Sequence, residues 1–291
     1  MKEIVIQNHQ VQNELPKGFV FEDQKLIIPQ NIHYEHPIKI TIKDDNNESL
    51  EIVVSENSSI KIILELSSQE ITPHQYKLML TAKKNAQVKY LLVSELSSKK
   101  AFVEHYFTAA RDAKLDLIGG FVSDILDAKM HVELKGEGAE VKMRAVAVSS
   151  DENKQNIDVL IIHQAPNTIG DMTNIGIANK KGKIVLNGVE KIEKGMKQAN
   201  AFQTLKGIIT SDQAIVEVNP ILLIDEFDVK AGHGATIGKI EEDQLYYLMS
   251  RGLSQKESEK LIINGFLKPV IDEIDDEPLK ERFMNLVNLR I

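Results

Sequence analysis

One histidine stands between two glycines in the run Gly232-His233-Gly234-Ala235-Thr236, just after the acidic stretch Asp225-Glu226-Phe227-Asp228. A neutral imidazole can ligate iron, zinc or copper, and it can carry a proton near neutral pH. Glycine has no Cβ, so backbone on either side of His233 can come close to whatever the ring faces. A lone imidazole is nevertheless one ligand, and metal sites take three or four. The other histidines, His9, His33, His36, His74, His105, His131 and His163, show no ligand spacing on a helix. His33 and His36, beside Pro37, read as a connecting loop. His105 and His131 fall in alternating runs and read as ordinary strand residues. His163 lies between Val159-Leu160-Ile161-Ile162 and Gln164-Ala165-Pro166-Asn167, a setting open to a turn-forming or a functional residue, with the structural role favoured. His233 is therefore the candidate metal residue. Its missing co-ligands would come from another chain or an exogenous group.

Other chemistry is excluded residue by residue. The chain has no cysteine, hence no disulfide, no thiolate nucleophile and no cysteine-held metal. Gly234-Ala235-Thr236-Ile237-Gly238-Lys239 approaches a phosphate loop but lacks one spacer, and Ile240 stands where Ser or Thr would reach magnesium. The spacing of Gly232, Gly234 and Gly238 does not fit a dinucleotide fingerprint. Neither a zinc-protease helix motif nor a serine-hydrolase elbow is present. A net charge of −8 argues against a nucleic-acid partner. No apolar run approaches the length of a membrane span, and the first residues carry no secretory signal pattern; a cytoplasmic location is expected.

The residues that must position His233 read as strands. From Ile38 onward, short alternating runs recur: Ile38–Ile42, Ile60–Leu64, Lys77–Leu80, Val88–Leu92, Lys114–Leu117, Met130–Leu134 and Val141–Ala145. Alternation of apolar and polar residues is the mark of a half-buried strand. Turn chemistry separates them at Asp44-Asp45-Asn46-Asn47, Lys83-Lys84-Asn85, Lys135-Gly136-Glu137-Gly138 and Lys180-Lys181-Gly182. A dozen or so strands without intervening helices exclude a doubly wound fold. Sandwich, barrel and solenoid remain. No Trp occurs, aromatics are 5%, and apolar residues are 42%, so the core is aliphatic, which suits a β-helix, although no strict repeat is visible.

After the glycine-flanked histidine the period changes. Acidic residues at Glu241-Glu242-Asp243 open a helix whose Leu245, Leu248 and Met249 share a face, closed by Arg251-Gly252. Ser254-Gln255-Lys256-Glu257 is a capping box for a second helix carrying Leu261 and Ile262 and expected to stop near Asn264-Gly265. A third is expected over Glu277–Leu289. The acidic run Asp272–Glu277 reads as a solvated turn. The expected organisation is an N-terminal extension over 1–37, a β-helix core over 38–235 with its strands ending near Asp228, and a C-terminal helical domain over 236–291.

Asp228-Val229-Lys230-Ala231-Gly232-His233-Gly234-Ala235-Thr236-Ile237-Gly238, followed by Gln244–Gly252 and Ile263-Asn264-Gly265-Phe266, strongly resembles the C-terminal region of the SufB/SufD family, and more closely SufD. Ile184-Val185-Leu186-Asn187-Gly188, Gln198–Gln203 and Asn219-Pro220 through Asp225 extend the resemblance over about residues 155–270. The resemblance implies a right-handed parallel β-helix (β-solenoid), mainly β, with a small C-terminal α-helical domain. It implies a non-catalytic scaffold subunit of the SUF iron–sulfur cluster assembly system. A SufB-like paralogue would pair through the β-helix, and a SufC-type ATPase would dock on the C-terminal helices. His233 would lie at the interface where a transient cluster forms; the chain alone would bind no cofactor. A homodimer is the expected alternative in isolation.

Two departures qualify these expectations. Ala231 stands where many relatives have cysteine, so sulfur-accepting chemistry would fall to the paralogue. Strand-like sequence also starts early, whereas relatives commonly carry a helical domain first. Two other readings stay open: a purely architectural subunit in which His233 only packs, and, remotely, a carbohydrate-active β-helix enzyme, which would need exposed carboxylate clusters and aromatic platforms.

Overall fold

The computed structural model describes residues 2–42, 47–272, 274 and 277–291. It is mainly β, a parallel β-solenoid of about 7 turns followed by three helices. The strands are β1 (Lys2–Gln7), β2 (Gln10–Val11), β3 (Val20–Glu22), β4 (Lys25–Ile28), β5 (Ile38–Ile42), β6 (Asn47–Val54), β7 (Ser59–Ser68), β8 (His74–Ala82), β9 (Gln87–Leu96) and β10 (Ala101–Ala109). Then come β11 (Lys114–Phe121), β12 (Leu126–Leu134), β13 (Glu140–Ser149), β14 (Lys154–His163), β15 (Ile169–Ala178), β16 (Lys183–Ile192), β17 (Asn200–Ile209), β18 (Ile215–Ile224) and β19 (Lys230–Lys239). One sheet runs β19-β17-β15-β13-β11-β9-β7-β5-β1-β2, the other β18-β16-β14-β12-β10-β8-β6-β4-β3. The chain thus alternates between two walls, and each coil adds one strand to each.

Alternation dictates this. In β10 and β12 every second side chain is buried, so one face of each strand fills the lumen. The lumen is aliphatic, with Ile40, Ile62, Leu92, Leu117, Val132, Ile161 and Leu186 among its buried members. Asn31, Asn57, Asn85, Asp112, Gly138, Asn167 and Gln198 all take positive φ at the same corner of successive coils. Asn, Asp and Gly tolerate that region best. Their amides form a ladder along the axis, from Asn31 N donating to Glu56 O (3.0 Å) to Gln198 N donating to Asp228 O (2.6 Å).

The helices are α1 (Glu242–Ser250), α2 (Gln255–Ile271) and α3 (Glu277–Arg290). On the wall that ends in β19, middle residues such as Ile63, Leu91, Val93, Ile118, Val146 and Ile175 are buried on the outer face. Ile263, Leu267, Val270, Ile271, Phe283 and Val287 of α2 and α3 cover them. Gly120 makes room: a Cβ there would collide with the Phe283 ring. Arg282 pairs with Glu65 and Glu95, and Arg290 Nη2 lies 3.2 Å from Asp124 Oδ1. The capping box of α2 is present, and Gly252 closes α1 with φ +98°.

The helix expected to stop near Asn264-Gly265 continues to Ile271. Its buried stripe is Ile263, Leu267, Val270 and Ile271 rather than Leu261, which is exposed. Burying four aliphatic side chains, each worth about 1.5–3 kcal/mol, outweighs the roughly 1 kcal/mol cost of glycine in mid-helix. The apolar face expected on α1 buries no residue. Strands expected to end near Asp228 are followed by one more, β19, which pairs with β17 along its whole length. At the other end β1 and β4, from the segment expected as an extension, already pair in parallel with β5 and β6. Asp44-Asp45-Asn46 of one expected turn, and Glu273, Asp275 and Asp276 of the acidic run, lie outside the described residues.

Candidate functional site

The two ends of the solenoid differ. At the first, β1–β2 and β3–β4 fold back as short antiparallel hairpins, leaving edges of two and three residues. At the second, β18 and β19 are edge strands of ten residues each, with no strand beyond them among the described residues. Ile215, Ile221, Leu223, Ile224 and Ile237 are exposed there, and Phe227 in the turn between the strands is wholly exposed. The turn is held by Glu226, whose carboxylate accepts from the amides of Asp228 (3.3 Å), Phe227 (2.9 Å) and Gly195 (3.0 Å). These backbone donors, Asp228's and Phe227's foremost, hold its pKa below the usual carboxylate value.

His233 lies in the middle of β19. The glycines around it are strand residues rather than a loop. Gly232 sits in register with Phe202, whose ring would meet a Cβ at 3.3 Å, while a Cβ at Gly234 would meet nothing within 4 Å. His233 is in register with Gln203, Gln203 with Met172, and Met172 with Met143. Registered residues of parallel strands point the same way. Met143, Met172 and Gln203 face the lumen and are buried. His233 therefore ends a lumen-facing row and is exposed because no coil covers it. No group of three or more His, Cys, Asp or Glu with metal-site geometry occurs among the described residues. The other histidines are dispersed: His33 and His36 lie outside the strands, and His131 lies on β12. His105 on β10 is buried beside Tyr90, their Nε2 and hydroxyl 2.9 Å apart.

His163 and Glu190 form a second polar group, inside the lumen. His163 ends β14 and Glu190 lies on β16; both side chains are fully buried, with Nε2 and Oε2 3.8 Å apart. Burial pushes the His163 imidazole down to about 4 and, with the charge of Asp171, pushes Glu190 up to about 8. Glu190 was not singled out in the sequence. The signal was there: Ile184, Leu186, Gly188, Glu190 and Ile192 share the inward phase of one alternating run, and a carboxylate in that phase must be buried.

The solenoid thus ends in short hairpins on one side and, on the other, in two ten-residue edge strands with one imidazole on the second. A family model described as SUF system FeS cluster assembly, SufBD core domain, matches residues 41–266. The chain belongs to this SufB/SufD family. It is 31% identical to the iron–sulfur cluster assembly protein SufD of Bacillus subtilis (strain 168), over 91% of this chain and 63% of that protein. It is 24% identical to SufBD family proteins of Mycobacterium leprae (92% of this chain, 32% of that protein) and Staphylococcus haemolyticus (87% and 56%). The chain thus spans less than two thirds of the length of these curated relatives. No helix among the described residues is long and apolar enough to cross a membrane.

Proposed function

We propose that this chain is a non-catalytic subunit of a SUF iron–sulfur cluster assembly complex, joined to a SufB-like paralogue through its open end. The observation that carries the reading is the pair of uncovered ten-residue edges, β18 and β19, with His233 on the second. Such edges present rows of unpaired N–H and C=O groups and exposed Ile and Leu side chains, which a matching solenoid coil would satisfy. Open space beside Gly234 favours close approach by a second backbone. His233 would then offer Nδ1 or Nε2 to iron of the nascent cluster, the cargo of the complex. The chain lacks cysteine, so thiolates would come from the paralogue. Exposed Tyr246, Tyr247 and Met249 on α1 give a SufC-type ATPase an apolar docking face. No nucleotide motif is needed here if that partner binds ATP.

The isolation of His233 from other ligand residues also supports the architectural reading, in which the imidazole only packs at the interface. Co-expression with SufB-like and SufC-like partners separates the two. His233→Ala is expected to leave the complex intact while lowering its iron and sulfide content several-fold. Unchanged cluster content in an intact complex would remove the ligand role. A purified chain that never associates with those partners would remove the family-based reading of its function.

A further inference from the structure

The lumen pair His163–Glu190 gathers more unpaired polar atoms in one place than other inward-facing polar residues such as His105 or Asn174. Among the described residues, neither Nε2 of His163 nor either carboxylate oxygen of Glu190 has a hydrogen-bond partner. Leaving buried polar atoms unpaired is costly, and more so for charged ones, so three together in one place call for an explanation.

The hydrogen bonds around His163 fix which atom faces Glu190. The Thr168 hydroxyl donates to Ala165 O at 3.0 Å. Its only proton is spent there, so toward His163 Nδ1, 2.8 Å away, it must accept. Nδ1 therefore carries the ring proton, and Nε2 presents a lone pair. Oε2 of Glu190 lies 3.8 Å away, beyond hydrogen-bond reach. Burial keeps that carboxyl protonated near neutral pH, and neither its oxygens nor the Nε2 lone pair has a partner among the described residues.

The backbone leaves this place open. On β15 the nearest residue is Gly170, and a Cβ there would sit 2.9 Å from Nε2 and 3.3 Å from Glu190 Oε2. Any other residue would fill the space on which the two side chains converge.

We propose that His163 Nε2 and the Glu190 carboxylate hold a divalent first-row transition cation inside the solenoid. Metal–nitrogen and metal–oxygen bonds of about 2.0–2.2 Å span an N–O separation of this size with the ion between them. Imidazole with carboxylate suits zinc or iron(II) rather than calcium or magnesium. Thr168 supplies the outer hydrogen bond that such a histidine normally makes, holding its tautomer and ring angle. Water completes the coordination. The site is separate from His233, which stands exposed on β19, and it does not depend on the cluster-assembly reading.

The test uses the full chain after chelator treatment, with Zn2+ alone followed by calorimetry and Co2+ alone by visible absorption. One equivalent of each ion should bind, and should still bind to His233→Ala. X-ray absorption of the Zn2+-loaded His233→Ala chain should show nitrogen and oxygen ligands including imidazole. Glu190→Gln and His163→Gln should abolish stoichiometric binding. Thr168→Val should weaken it about 10–100-fold. Gly170→Ala should weaken it with both ligands still in place. A wild-type chain that takes up neither ion from pH 6 to 9 would overturn the proposal and leave a proton shared between the two residues. Undiminished binding in folded Glu190→Gln and His163→Gln chains would overturn it equally, as would absorption showing no imidazole.

Discussion

His105 offers a direct measure of how dry the lumen is. It is 1% exposed and lies in register with Leu78 and Met130 on the neighbouring coils. Its ring stacks on Phe107, and its Nδ1 has no partner among the described residues. Protonation would put a charge where only the Tyr90 hydroxyl can answer it, so burial pushes the imidazole down to about 3 from 6.5. A depressed folded-state pKa means the unfolded chain binds the proton first. The stability contribution is intact above pH 6.5 and is lost as pH falls toward 3. At about 1.36 kcal/mol per unit, the loss reaches about 2.7 kcal/mol by pH 4.5 and about 5 kcal/mol across the window. That is a large part of a typical stability of about 5–15 kcal/mol. His105→Gln keeps a partner for Tyr90 and cannot titrate. Urea unfolding followed by circular dichroism, for wild type and variant at pH 7 and pH 4.5, isolates the effect from carboxylates common to both. The variant pays its own packing cost at pH 7, and its deficit should shrink by about 2.7 kcal/mol at pH 4.5. A deficit equal at both pH values would refute the dry-lumen argument.

Two further perturbations probe the helices. Gly120→Val drives a side chain into Phe283 and should cost about 1–3 kcal/mol, loosening α3 from the wall, with faster amide exchange in α3 as the readout. Ser254→Ala removes the side-chain acceptor for the Glu257 amide and should cost about 1 kcal/mol, seen as fraying of the first turn of α2 while the solenoid amides stay protected.

The fold was legible where period carries the information. Ile38–Ile42, Val88–Leu92 and Met130–Leu134 alternate because one face of each strand fills the lumen, and the observed strands contain all three. The repeat itself was hidden, because coil length drifts from 24 residues between Ile38 and Ile62 to 32 between Lys183 and Ile215. Its regular trace lies in single corner residues, Asn57, Asn85, Asp112 and their successors, rather than in the strands. Gly265 was misleading as a stop signal because a local propensity of about 1 kcal/mol cannot outweigh tertiary burial of Leu267 and Val270. The glycines beside His233 were misleading in the same way: full registration with β17 makes a strand of a sequence with weak strand preference. His233 stands out in the sequence alone because of its setting, and the structure adds only that it lies exposed on the edge strand β19. The His163–Glu190 pair was not legible, because coil stacking brings together two residues that lie 27 positions apart in the chain.

One rule accounts for both ends of the solenoid. A long, exposed, uncharged edge strand is a template for pairing, and stable monomers shorten, charge or cover such edges. Here the first end follows that rule: antiparallel hairpins reduce the edges to β2 and β3. The second end breaks it. Between Lys230 and Lys239, β19 carries no charge, and three of its residues are glycines. Glycine weakens an isolated strand, so these positions are not there to stabilise the chain by itself. At Gly234 and Gly238 a Cβ would meet nothing within 4 Å, so the edge stays open beyond the imidazole. An exposed apolar edge also promotes self-association when no partner is present, and that pairing would bring two copies of His233 toward one another. The pairing proposed with a paralogue and any self-pairing in isolation would therefore compete for the same two edges, β18 and β19.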